Sequence, residues 1–113
     1  MEGAGLLLRT IKAGNAVSFP KKGNTCRVHY EAYLENGKKF DSSRDRKQFF
    51  LFRLGMGQVI DGWDVAVSKM SIGQLVEVTI PPMYAYGEQG YPPVVPPRST
   101  LIFQIELFDF TSI

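Results

Sequence analysis

The chain has 113 residues, 44% of them hydrophobic and 21% charged, with a formal charge of +2. The length suits one domain, residues 1–113, able to bury roughly two thirds of its unfolded surface without metals or disulfides. Cations are interspersed with anions rather than gathered into a stripe, which argues against a nucleic-acid partner, and no apolar run is long enough to span a bilayer.

In chain order, residues 6–12 suit a first strand, closed by Ala13-Gly14-Asn15. The lone Cys26 rules out an internal disulfide and fits a reducing compartment. From Thr25 to Leu34 the residues alternate, with Cys26, Val28, Tyr30, Ala32 and Leu34 on one face and Arg27, His29, Glu31 and Tyr33 on the other. Asn36-Gly37 predicts a hairpin with a type I′ turn, because both central residues of that turn need positive φ. The returning strand carries Phe40, is interrupted by the polar run 41–46 as by a bulge, and resumes over residues 49–54 with Phe50, Phe52 and Leu54 on one face.

Residues 58–67 read as the one good helix. Ile60, Trp63 and Val67 fall on a single stripe, Asp61 and Asp64 suit the first turns, Lys69 the last, and Gly73 stops it. Val76, Val78 and Ile80 then alternate until Pro81-Pro82 forbids a further ladder. Residues 83–99 are rich in proline and turn formers and form a long loop, the usual place for function. Leu101, Phe103, Ile105 and Leu107 close the chain as a strand. The expectation is an α+β fold, a curved antiparallel sheet of about five strands wrapped around one short helix. Trp63 then faces the inward side of the strands, where Tyr30, Phe40, Phe50 and Phe103 converge. With Tyr86 able to cover the opening, these residues predict a small-ligand cleft floored by the indole, although an indole in an ordinary core remains the alternative.

Little other chemistry is available. One histidine and one cysteine cannot make a normal zinc site, so no metal or cofactor is expected. His29 sits on the strand face opposite the aromatic residues, which argues against a serine triad there. Gly55-Met56-Gly57 lacks the third glycine of a dinucleotide fingerprint, and Pro93-Val94-Val95-Pro96 is better read as loop than as an SH3 ligand.

Several blocks together carry a resemblance: Val28-His29-Tyr30, residues 37–44 (GKKFDSSR), Val59-Ile60-Asp61-Gly62-Trp63, Tyr84-Ala85-Tyr86-Gly87 and residues 102–107 (IFQIEL). The chain resembles the FKBP family of peptidyl-prolyl cis/trans isomerases, which bind tacrolimus and rapamycin, over nearly its whole length. The resemblance implies that Tyr30, Phe40, Asp41, Trp63, Tyr86 and Phe103 are the catalytic set, with Trp63 the platform beneath a proline ring. It extends ligand contact to Arg46, Phe50, Gln58, Val59, Ile60 and Tyr91, and to Val94 and Val95 at the rim of the overhanging loop. The Ile60 N–H and the Tyr86 hydroxyl would donate to ligand carbonyls, and Asp41 would accept from Tyr30 or a ligand hydroxyl and could pair with Arg46.

The same resemblance implies proline-containing peptide or protein substrates, macrolide ligands, and a phosphatase or kinase as partner of the drug-bound form. Departures from the commoner pattern are Gln58 for Glu, Met83 for Asp, Tyr91 for His, Pro93 for Gly, and valines for isoleucines at 94 and 95. Tyr91 and Pro93, in the overhanging loop, bear on partner choice and loop mobility rather than on the central pocket; Gln58 should change little because the family uses the backbone carbonyl there, and the smaller valines should weaken rim contact with bulky ligands. A folding isomerase and a non-catalytic binding module that uses the pocket and the 83–99 loop both stay open. A monomer in the cytosol or nucleus, with residues 1–5 as a flexible extension, completes the expectation.

Overall fold

Period-two alternation decides the sheet. A computed structural model describes residues 5–112, so the expected extension lies, apart from Gly5, outside the described residues. Among the described residues the strands are β1 (Leu7–Lys12), β2 (Thr25–Leu34), β3 (Lys39–Ser42), β4 (Phe50–Arg53), β5 (Leu75–Ile80) and β6 (Leu101–Thr111), with one α-helix, α1 (Asp61–Ser68), and a short 3-10 turn over Pro82–Tyr84. They form one antiparallel sheet in the order β1-β5-β6-β2-β3, with β4 also on β2. Cys26, Val28, Tyr30 and Ala32 of β2, Val76, Val78 and Ile80 of β5, and Leu101, Phe103, Ile105 and Leu107 of β6 are all buried, as the alternation requires. Together with the apolar residues of α1 they make the core.

Six strands occur where about five were expected, because the returning arm is two strands. β3 and β4 lie on the same edge of β2, separated by an excursion over residues 43–49. Opposite that gap, Ser43 takes the place of a ladder partner. Its N–H donates to the Tyr30 carbonyl at 3.0 Å, and its hydroxyl accepts from the Tyr30 N–H at 2.7 Å. Such satisfaction is what lets a strand edge stay buried without a neighbouring strand.

The bulge also falls earlier than the polar run suggested. Ala32 pairs with Asp41 and Tyr33 with Lys39, leaving Phe40 as the extra residue. Strict alternation would send Phe40 and Asp41 to opposite faces; a bulge lets neighbours share one.

The hairpin before it is not type I′. Gly37 has φ +92, but Asn36 is not among the positive-φ residues. The Gly37 N–H donates to the Leu34 carbonyl and the Leu34 N–H to the Lys38 carbonyl, both at 2.9 Å, so a turn over 34–37 ends on a left-handed glycine.

The helix is shorter than its apolar pattern and buried more widely. Ile60 is its extended N-cap residue, and Lys69 lies just past its end as the C-cap rather than in the last turn. Gly73 stands in the connection to β5, its N–H on the Leu107 carbonyl at 2.8 Å. Gly62, Trp63, Val65, Ala66 and Val67 are all buried, because a sheet that curves around a helix covers more than one stripe of it. At Gly62 the fit is close: a Cβ there would sit 2.6 Å from Ile80 Cγ2 and 2.8 Å from Cδ1, and Ile80 is fully buried. Gly62→Ala is therefore expected to cost about 1–3 kcal/mol of unfolding free energy in urea titrations, since a β-branched neighbour has no free rotamer to retreat to. Combined with Ile80→Ala it should cost less than the two single losses added, the new methyl filling part of the space. Strict additivity would show that the two side chains do not compete.

Candidate functional site

The concave face is not completely filled. A hollow of about 240 Å³ opens beside the helix N-terminus, lined by Tyr30, Phe40, Asp41, Phe50, Gln58, Val59, Ile60, Trp63, Tyr86 and Phe103. Each element contributes in a way its local sequence dictates. β2 and β6 present Tyr30 and Phe103 by alternation, the bulged β3 presents Phe40 with Asp41, and β4 presents Phe50. The loop into the helix brings Gln58, Val59 and Ile60, and is held by two side chains. Gly55 N–H donates to Asp64 Oδ1 and Arg53 N–H to Gln58 Oε1, each at 2.8 Å.

Trp63 is the floor. It is only 4% exposed, and its ring meets Tyr30, Phe103, Phe52 and Phe50 edge-to-face, with centroids 5.0, 5.5, 5.6 and 5.7 Å away. Those geometries suit the aromatic quadrupole and hold the indole in one orientation. Phe40 continues the wall, edge-to-face with Phe103 at 6.5 Å.

Polar groups occupy one side. The Tyr30 hydroxyl donates to Asp41 Oδ2 at 2.6 Å, Arg46 Nη1 donates to Asp41 Oδ1, and Arg46 Nη2 donates to the Tyr30 hydroxyl at 3.0 Å. The Ser42 N–H adds a further bond to Asp41 Oδ1 at 2.8 Å. Burial works to raise the Asp41 carboxyl, but the bonds from Tyr30 and Arg46 outweigh it and hold the group below the ordinary carboxylate range. Burial, then the neighbouring carboxylate, pushes the Tyr30 phenol up; burial, then Tyr91 and Asp41, does the same for Tyr86. Both phenols thus keep their protons at neutral pH.

A depressed folded-state pKa means that Asp41 contributes stability above the unfolded value, about 3.9, and that this is lost as pH falls through the folded value. The gap in urea midpoint between the native chain and Asp41→Asn should accordingly be widest near neutrality and close below about pH 4. A gap that persists unchanged well below pH 4, past the folded value, would mean that the carboxylate charge contributes nothing.

Two donors at the hollow have no acceptor among the described residues. The Ile60 N–H precedes a helix with no side-chain cap, and the Tyr86 hydroxyl makes no hydrogen bond. Tyr86 is 39% exposed and its ring lies 5.5 Å from that of Tyr91.

Ten of the expected ligand residues line the hollow; four do not. Arg46 stands behind Asp41, its guanidinium 5.7 Å over the Tyr30 ring. Tyr91 is 61% exposed and meets the hollow only through Tyr86. Val94 is exposed, and Val95 is 2% exposed within the core, its backbone paired with Tyr91 at 2.7 and 2.8 Å. Neither valine is among the residues that line the hollow. Ser43 and Phe52 support the hollow without lining it, Ser43 through its bonds to the Tyr30 backbone and Phe52 through its ring against Trp63.

His29 lies on the opposite face. Its ring stacks on Phe49 at 4.3 Å and its Nδ1 is 2.8 Å from Ser43 Oγ, while burial and then Arg44 lower its pKa. Among the described residues no group of three or more His, Cys, Asp or Glu side chains could hold a metal ion, and no helix is long and apolar enough to cross a membrane.

Comparison with known proteins bears on the same segments. Residues 16–108 match the family profile of the FKBP-type peptidyl-prolyl cis-trans isomerases. FK506-binding protein 1 of Saccharomyces cerevisiae is 50% identical over 97 residues, which cover 86% of this chain and 85% of that protein. Identity at that level, together with a family match over residues 16–108, reflects common descent rather than a shared shape alone: the chain belongs to the FKBP-type peptidyl-prolyl cis-trans isomerases.

Proposed function

We propose that the aromatic hollow over Trp63 is where this isomerase turns X–Pro peptide bonds, with the pyrrolidine ring on the indole and the flanking carbonyls held by the Ile60 N–H and the Tyr86 hydroxyl. The observation that carries this reading is the coincidence, in one largely apolar hollow, of a rigid aromatic floor and two donors without acceptors.

The chemistry required is modest. Amide resonance sets a barrier of roughly 18–20 kcal/mol to rotation, and no covalent bond has to break. The twisted amide has less charge separation than the planar one, so a dry aromatic surface penalises the planar ground state more than the transition state. Holding both flanking carbonyls while the C–N bond turns removes orientational freedom that would otherwise oppose the rotation. Asp41, occupied by Tyr30 and Arg46, supports the wall rather than acting as a base.

The substrates in this reading are proline-containing peptides and proteins, and the role is assistance of folding in the cytosol or nucleus, which the single buried thiol suits. The yeast relative is by name an FK506-binding protein. Its identity to this chain supports tacrolimus and rapamycin as ligands of the same hollow. A phosphatase or kinase would then meet the drug-bound form across the exposed part of the 83–99 loop, where Met83, Tyr91 and Val94 face solvent.

A coupled proline-peptide assay tests the reading. The expected result is catalysis abolished by stoichiometric tacrolimus and a rate that is flat between about pH 5 and 8, because the phenols titrate above that window and Asp41 below it. Catalysis that survives saturating drug would place the reaction elsewhere, and a titrating step inside the window would replace desolvation with proton transfer. A rate near background together with tight drug binding would leave only the binding module.

A further inference from the structure

We propose that Asn36 is a site of spontaneous covalent modification, at which the folded protein converts to aspartate and isoaspartate through a cyclic imide. In that reaction the backbone nitrogen of the following residue forms a bond to the asparagine Cγ, and the side-chain nitrogen leaves as ammonia. Water then opens the ring at either carbonyl, so the net change is one water consumed and one ammonia released, with no oxidant or enzyme. The requirements are steric: an exposed asparagine, a successor without a Cβ, and a backbone free to turn.

The chain has three asparagines, and only Asn36 meets all of these. Asn36 and Gly37 are both exposed, and a Cβ built on Gly37 would find nothing within 4 Å. The Asn36 Oδ1 accepts from the Lys38 N–H at 2.9 Å, which folds the side-chain amide back along the Gly37 peptide unit. The bond that has to open is Gly37 N–H to the Leu34 carbonyl, at a solvent-exposed hairpin tip where local opening is cheap.

The other candidates are blocked in different ways. Asn15 is followed by Ala16, whose N–H donates to the buried Ser71 hydroxyl at 3.0 Å, and its own Oδ1 accepts from Val17 and Ser18. Asn24 is followed by the β-branched Thr25, already paired in β2. Asp61-Gly62 has the permissive successor, but inside a helix and packed on Ile80.

Conversion would have two physical consequences. A carboxylate would appear next to Glu35 in a shallow groove that also contains Arg98, Ser99 and Thr100. Isoaspartate would also add a backbone carbon to the turn that sets the register of β3, the strand carrying Phe40 and Asp41.

The test uses the full folded chain, held at physiological temperature and neutral to mildly alkaline pH, followed by ion exchange and peptide mapping. The expected result is a more acidic species, one dalton heavier, whose change maps to Asn36. Isoaspartate should exceed aspartate there, with a rate at least an order of magnitude above that at Asn15 and Asn24. Asn36→Gln, with its urea midpoint checked, should stop formation of that species. Conversion at Asn36 no faster than at the other two, or appearing only once the chain is denatured, overturns the proposal.

Discussion

Trp63→Ala is expected to lower the unfolding free energy by about 3–5 kcal/mol, measured by circular dichroism because the substitution removes the only tryptophan. The value belongs near the top of that range for two reasons. The side chain is almost wholly buried, and the lost ring is the shared partner in four edge-to-face contacts, each worth about 0.5–1.5 kcal/mol beyond its burial. The cavity cannot close easily, since the surrounding aromatic residues come from three strands and are fixed by the sheet. Trp63→Phe separates floor from fold. It should keep most of the stability and still lose tacrolimus affinity, because a smaller plane leaves the ligand ring without full contact. A cost under about 1 kcal/mol for the alanine variant would mean that the hollow collapses freely and that Trp63 is not its floor.

Gly90→Ala has the next largest expected effect, and it acts on the loop rather than the core. Gly90 has φ +68, and a Cβ there would lie 2.5 Å from the carbonyl oxygens of both Val95 and Pro96. Left-handed backbone costs an alanine about 1–2 kcal/mol and the overlap about 1–3, together on the order of 3 kcal/mol. That strain falls on the segment that holds Tyr86. Gly90 N–H donates to the Tyr86 carbonyl at 3.1 Å, and the Tyr91–Val95 pair closes the same turn onto the core. Isomerase activity and tacrolimus affinity should each fall by about tenfold or more, equivalent to 1.4 kcal/mol, and the unfolding free energy should fall by up to the strain itself. Gly87→Ala is the control: its φ is +65 but nothing lies within 4 Å of the added methyl, so it should carry only the backbone penalty. Equal losses in the two variants would remove the clash as the cause.

The parts of this fold that could be read from residues alone are those governed by alternation. In β2, β5 and β6 the buried positions fall where a half-buried strand must place them, and that parity alone brings Tyr30 and Phe103 to one face with Trp63. Other features depend on contacts that leave no periodic trace. Asn-Gly permits two hairpin geometries, and the choice depends on whether Asn36 or only Gly37 takes positive φ. At Gly62, inside the helix, Ile80 comes too close for any side chain; a stripe of apolar positions carries no such information. Phe40 and Asp41, adjacent in sequence, could be placed in one pocket only through the family resemblance, since period two separates them. Val95 sits in the core because of a pairing with Tyr91 inside an irregular loop, where no pattern distinguishes it from exposed Val94.

The bulge at Phe40 makes the β3 arm sensitive to its length in a way its neighbours are not. Removing one residue there would restore regular pleating and turn either the phenylalanine or the carboxylate outward, dismantling the site while leaving the sheet paired. The excursion over residues 43–49 leaves and rejoins β2 between two independently registered strands, so its far side can gain residues without shifting either register. Descendants of this sequence are therefore free to vary in size at the excursion, whereas at the arm only substitutions can be tolerated.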